Sequence, residues 1–266
     1  MIEKLEPILA LLREHHIPFW ADSGTLLGLY RNKQLIDWDS DIDFGAWDDS
    51  VETIHKLEPQ IRKLGYSVKT RYYHKQVYGF TFESYRHKEL LPIHIHIYTN
   101  WNGYAWSPQT VIYFPGTSAT PPWVEENPSV TRDFLTCCKK HALRFRDKKP
   151  MSPLEKILIL CSCYPIWGAF IVSKSRLDRY HWAHRWPYKY FHKTYTWRIQ
   201  EEFFTSLVEF QIGSIHIPIP QLTEEYLTAR YGDWKTPDKD WVYWRDDGCL
   251  LQQAPEELVS EYWGKP

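Results

Sequence analysis

Asp39, Asp41 and Asp43 stand two residues apart in WDSDIDFG, residues 38–45, downstream of the turn Ser23-Gly24-Thr25. Carboxylates at i and i+2 of a strand leave the same face and repel one another unless a cation sits among them. Mg²⁺ or Mn²⁺ answers that repulsion economically, because such ions take oxygen ligands and are held by one or two carboxylates together with substrate phosphates. The turn offers what a phosphate needs: backbone N–H groups at a helix N-terminus, with Gly24 allowing close approach. An Asp-rich strand end can also be a solvated cap, but turn and aspartates together favour phosphoryl chemistry. A second candidate group is LPIHIHIYTN, where His94 and His96 share one strand face opposite Ile93, Ile95 and Ile97. These imidazoles could ligate a metal, deprotonate an acceptor or form a polar sheet surface.

The elements that must position these groups follow from periodicity. Ile2, Leu5, Leu9 and Leu12 fall at helical spacing over residues 2–16, and IPFWA reads as a short buried strand. A short helix follows the Ser-Gly-Thr turn, and WDSDIDFG is predicted as a strand with Ile42 and Phe44 inward and all three aspartates outward. Val51, Ile54, Leu57, Ile61 and Leu64 mark a further helix, which Pro59 should kink or split. YSVKTRYY, QVYGFTFESY and LPIHIHIYTN alternate with period two, as neighbouring strands of one sheet would. Residues 1–116 are thus expected to form one α/β core. Residues 117–266 form a helical and loop-rich part packed on it, completing the site within one structural unit. A helix is predicted over Leu222–Tyr231, stopped by Gly232.

Composition limits the partners. With 32 Lys and Arg against 33 Asp and Glu, the formal charge of −1 supplies no general attraction to nucleic acid or a bilayer, and no nucleic-acid partner is expected. Residues 174–193 are a local exception, alternating Lys and Arg with Trp, Tyr and Phe. Such a stretch is either a solvated helix face, a seat for an anionic glycan or a peripheral contact with an acidic membrane surface. The apolar run Leu154–Val172 is interrupted by Glu155, Lys156 and Pro165, too short to span a bilayer, and reads as a buried helix pair. Five cysteines, Cys137, Cys138, Cys161, Cys163 and Cys249, lack zinc-site spacing and read as reduced, idle thiols. The opening MIEKLEPILALLREHH is an amphipathic helix rather than a signal peptide, so a cytoplasmic chain is expected, peripheral at the inner face of the membrane if the basic stretch touches it.

WADSGTLLGLYRNKQLIDWDSDIDFG resembles the signature of the LicD/fukutin-like family: a Gly-Thr-Leu-Leu-Gly element, a downstream Arg and a W-D-x-D-x-D strand. Near the other end, IPIPQLTEEYLTARYGDWKTP is similar to the same family's closing YL-x3-YG-x-W-x-x-P element. The resemblance implies a nucleotidyltransferase-like mixed sheet flanked by helices, of α/β (α+β) class. It also implies a phosphotransferase that moves a phospho-alcohol from CDP-choline, CDP-glycerol or CDP-ribitol to a glycan hydroxyl and releases CMP. The acceptor would be a surface polysaccharide, free or lipid-linked, such as teichoic acid or capsule. By the same resemblance Asp41 and Asp43 hold the metal with Asp39 close by, while Ser23, Gly24, Thr25 and Arg31 handle the donor diphosphate. Tyr231 and Trp234 would close over the site with Tyr226, Gly232 and Asp233, or else merely end and pack a helix.

The chain departs from the family where a hydrophobic-Asp-hydrophobic-Phe segment would supply a third carboxylate. IHIHIY has no acid, and alignment favours His96 for the vacant position, as metal ligand and catalytic group beside Asp39, Asp41 and Asp43. A nitrogen donor would shift metal preference from Mg²⁺ toward Mn²⁺. Two rival functions remain: a true nucleotidyltransferase releasing pyrophosphate, and a catalytically silent donor- or glycan-binding module.

Overall fold

The computed structural model describes residues 2–74, 76–87, 89–112, 192–251 and 253–264. Met1–Gln109 and Tyr195–Pro266 form one compact unit, distinct from Thr110–Thr194. The apolar run 154–172, the side chains of the basic-aromatic stretch 174–193 and every cysteine except Cys249 lie outside the described residues. Among the described residues no helix is long and apolar enough to cross a membrane.

A 3₁₀ turn leads into α1 (Glu6–Glu14), where Pro7 sits in the first turn and Ile8, Leu9, Leu11 and Leu12 are buried. Next come β1 (Phe19–Ala21), α2 (Ser23–Asn32), β2 (Ile42–Trp47) and α3 (Val51–Lys63). Of the expected kink or split at Pro59, the split does not occur: α3 runs through the proline. The stripe Ile54, Leu57 and Ile61 packs into the core across the proline, and this burial offsets the lost backbone hydrogen bond. Three strands follow as the alternation predicts, β3 (Tyr66–Tyr73), β4 (Gln76–Ser84) and β5 (Ile93–Trp101), and then β6 (Tyr104–Ile112). The C-terminal part supplies more strand than its composition suggested: β7 (His192–Gln200), the short helix α4 (Glu202–Thr205), and the hairpin β8 (Leu207–Ile212) and β9 (Ile215–Pro220). It ends with α5 (Thr223–Tyr231), α6 (Tyr243–Asp246), β10 (Leu250–Leu251) and a last short helical stretch.

The sheet is mixed. β2 is antiparallel to β1 and parallel to β5, with Asp43 beside His94 and Gly45 beside His96. On its other edge β5 meets β4, with Thr81 opposite His94 and Gly79 opposite His96, and β4 meets β3, with Arg71 opposite Gly79. Beyond Tyr98, β5 pairs with β6, and the sheet continues through β7 to β10.

Because side chains alternate along each strand, this register creates two unlike faces. One carries Ile42, Phe44, Ala46, Phe80, Phe82, Ile93, Ile95 and Ile97, all buried in the main core with the apolar stripes of α1 and α3. Each isoleucine and phenylalanine of the set contributes about 1.5–3 kcal/mol on burial, so a one-residue slip that exposed them is strongly disfavoured. The other face thereby receives Asp43, His94, His96, Thr81, Gly79 and Arg71.

Candidate functional site

Only Asp43 of the three aspartates lies in a strand. β2 begins at Ile42, which places Asp39 and Asp41 in the preceding turn and corrects the expectation of one aspartate-lined strand. The pairing explains the shortening: the last β1 pair is Ala21 with Phe44 and β5 begins at Ile93 opposite Ile42, so neither neighbour offers a partner to residues 38–41. The turn returns Asp39 to α2. A Cβ on Gly24 would stand 2.3 Å from Asp39 Oδ2, so glycine is required for this carboxylate to rest at the helix N-terminus.

Asp22, not Ser23, caps α2: its carboxylate accepts from the Ser23 backbone N–H at 2.7 Å. Ser23 has φ +48°, a left-handed conformation that costs a non-glycine residue about 1 kcal/mol or more. Thr25 Oγ1 accepts from the Asp43 backbone N–H at 2.8 Å, tying α2 to the first turn of β2.

Asp43 faces both imidazoles. His96 Nε2 lies 3.1 Å from Asp43 Oδ1, and His94 Nδ1 lies 3.5 Å from the same oxygen and 3.2 Å from Asp41 Oδ2. Burial works against ionised Asp43, but hydrogen bonds from His94 and His96 outweigh it and hold the carboxyl well below the usual range. Burial likewise opposes charge on His94, yet Asp41 and Asp43 lift it to about 9. In buried His96 desolvation prevails, and its pKa is lowered despite Asp43. Asp39 is pushed up to about 7, first by burial and then by repulsion from Asp41 and Asp43.

One ligand atom from each of Asp43, His94 and His96 lies within 4.8 Å of the other two, a spacing that one metal ion can bridge. Two nitrogens and an oxygen suit a transition ion better than Mg²⁺. The residues therefore fit a metal, with both histidines rather than one turned to Asp43 and with Asp41 in contact with His94.

The charge on His94 predicts a pH dependence in chelator-treated protein. A histidine whose folded pKa is raised stabilises the fold fully below its unfolded value near 6.5 and loses that contribution as pH rises through about 9. The Tm advantage of wild type over His94→Gln, both in chelator, should therefore shrink between pH 6.5 and pH 10. A constant difference would mean that His94 is neutral throughout.

Below the turn lies a buried network that the sequence did not reveal. Asp22 accepts from Tyr98 Oη at 2.7 Å, from Tyr226 Oη and from Arg230 Nη1 at 3.4 Å. Arg230 also donates to Ser23 Oγ at 2.9 Å and through Nε to Asp247 at 3.0 Å, and its guanidinium lies 4.2 Å from the Trp197 ring centre. The YLTARYGDW element thus holds the strained turn from behind through Tyr226 and Arg230. Of its other members, Tyr231 packs at a tilt against Trp241, and Trp234 packs against Tyr30 and donates to Thr228. Arg31 donates to the Trp234 carbonyl at 3.0 Å, fastening this element to α2.

The mixed sheet thus sets a Ser-Gly-Thr turn at a helix N-terminus beside an Asp-His-His cluster, a candidate metal centre. Residues 16–160, more than half of the chain, match the LicD/FKTN/FKRP nucleotidyltransferase domain, and the chain belongs to that family. It is 35% identical over 68 residues to an uncharacterized protein of Rickettsia typhi (strain ATCC VR-144 / Wilmington), covering 26% of this chain and 21% of that protein. An uncharacterized protein of Rickettsia prowazekii (strain Madrid E) is 38% identical over 58 residues, 22% of each chain. The chain thus spans about a fifth of the length of these curated relatives. The structure of ANT(2″)-Ia in complex with adenylyl-2″-tobramycin has a TM-score of 0.29 at 20% identity, over 40% of this chain and 55% of that one.

Proposed function

We propose that the protein is a metal-dependent phosphotransferase that moves a phospho-alcohol from a CDP-activated donor to a glycan hydroxyl and releases CMP. The observation that carries this reading is the cluster of Asp43, His94 and His96 on paired strands, tied through Thr25 to the N-terminus of α2. Family membership supports the same chemistry.

In-line attack needs positioning and charge neutralisation more than covalent help. The acceptor oxygen bonds to the phosphorus that carries the alcohol, the bond from that phosphorus to the bridging oxygen breaks, and CMP departs with the electron pair. The hydroxyl proton passes to a nearby base, a role we give to Asp39, which rests on Gly24 outside the three-residue cluster. A divalent ion, Mn²⁺ by its donor set or Mg²⁺, would neutralise the diphosphate and ease departure of CMP. Asp43, His94 and His96 would hold it, with Asp41 orienting His94. In this reading the helix N-terminus at Ser23, Gly24 and Thr25 would take phosphate oxygens.

Purified protein incubated with CDP-choline, CDP-glycerol or CDP-ribitol, each with Mn²⁺ or Mg²⁺ and a polysaccharide acceptor, should release CMP from one donor. The family domain is described as a nucleotidyltransferase, which favours one rival: transfer of the nucleotide itself. Pyrophosphate released from CTP in place of CMP would establish that rival. Tight binding of a donor without turnover would make the protein a binding module.

A further inference from the structure

Arg71 lies outside the hydrogen-bond networks described above. Its Nε and Nη2 are buried and hydrogen-bond to nothing among the described residues, although a guanidinium's donors are ordinarily satisfied when removed from water. The sheet is built to receive it. Arg71, Gly79 and His96 are successive cross-strand partners on β3, β4 and β5, which puts them in one row on the polar face. A Cβ at Gly79 would come within 2.5 Å of Arg71 Nη2 and 2.9 Å of Nε, so only glycine lets the guanidinium lie down on the strand. Tyr78 flanks it, with its ring centre 5.3 Å from the guanidinium carbon. Burial lowers the pKa of Arg71, opposed by Tyr78 and then by Asp43 and Asp41, the carboxylates that act on its charge without hydrogen-bonding to it.

We infer that Arg71 is an anion seat on the β3–β4 side of the Asp43-His94-His96 cluster, its free Nε–Nη2 edge taking two oxygens of the substrate diphosphate. Nε–H and the adjacent Nη2–H are parallel donors spaced for two oxygens of one phosphate, which a single ammonium cannot match. The oxyanion would complete both unpaired donors and bridge the guanidinium to the metal position. The inference rests on the reading of this site as one that handles a diphosphate, and it adds a binding residue on a strand remote in sequence from the aspartates.

The test is calorimetric titration of the Mn²⁺-loaded protein with pyrophosphate and, separately, with orthophosphate. Mn²⁺ affinity is measured independently by electron paramagnetic resonance. Wild type should bind pyrophosphate more tightly than orthophosphate. Arg71→Gln should weaken pyrophosphate binding about tenfold or more while Mn²⁺ affinity stays within about twofold, and Arg71→Lys should fall between. Should Arg71→Gln fail to fold, Arg71→Lys decides, since it keeps the charge and loses the fork. Pyrophosphate affinity unchanged in Arg71→Lys and in any folded Arg71→Gln would overturn the inference, as would wild type that binds no pyrophosphate. A loss confined to orthophosphate would also overturn the diphosphate assignment. Arg71-dependent pyrophosphate binding without turnover of any CDP-alcohol would leave the seat standing and remove the phosphotransfer reading.

Discussion

Asp43→Asn is expected to abolish turnover and weaken metal binding by about a hundredfold or more, with the protein still folded. Altering the partners of metal ligands alone costs 10–100-fold in affinity, and this change removes the anionic ligand itself. Asp43 is the carboxylate that meets both His94 and His96, so no neighbouring acid can replace it at the same point. The substitution keeps side-chain volume, and the backbone bond from residue 43 to Thr25 does not involve the carboxylate, so the β2–α2 junction should persist. Mn²⁺ binding and CMP release measured on the same preparation check the expectation. Metal affinity close to wild type would show that the ion, if one binds, rests on Asp39 and Asp41 in the turn instead.

The largest stability loss should come from Arg230→Ala. Arg230 is 1% exposed and lies between Asp22 and Asp247, both fully buried at the side chain. Removing it strands two carboxylates in the interior and withdraws the donor to Ser23 Oγ. Breaking a buried pair in this way costs about 3–5 kcal/mol, on the order of 10 °C in Tm for a domain of this size. Arg230→Lys should recover only part, because a single ammonium cannot reach Asp247, Asp22 and Ser23 together. Thermal unfolding of both variants beside wild type measures this. A loss under about 1 kcal/mol would mean that water or rearranged tyrosines satisfy Asp22 without the arginine.

The turn should register the same change. Ser23 holds its left-handed conformation with Arg230 on its hydroxyl and Asp22 on its backbone, so weakening that support frees the backbone N–H groups of this turn to rearrange. A long-range ion pair thereby links the C-terminal YLTARYGDW element to the N-terminal turn, although neither motif predicts the other.

Read alone, the sequence determined the local elements and their faces. Period-two alternation in YSVKTRYY, QVYGFTFESY and IHIHIY is set by the geometry of a strand, and the isoleucine and phenylalanine set can be buried in only one register. The Ser-Gly-Thr turn, the helix after it and the polar strand face that carries His94 and His96 were legible for the same reason: each depends on neighbours a few residues away. The extent of β2 was not, because a strand ends where its partners end: β1 pairs no further than Phe44, and β5 begins at Ile93 opposite Ile42. Nor was the pairing of Asp43 with both histidines, which requires β2 and β5 to run side by side across fifty intervening residues. Nothing local marks Asp22, whose partners are Tyr98, Tyr226 and Arg230. Arg71 was one basic residue in an alternating strand, and Gly79 gave the only local hint, as a glycine inside a strand pattern that marks a close approach. Buried charges must find their counter-charges wherever the chain brings them, so tertiary structure alone decided which polar residues hold the fold, which converge on the candidate metal centre, and which buried guanidinium donors stay unpaired among the described residues.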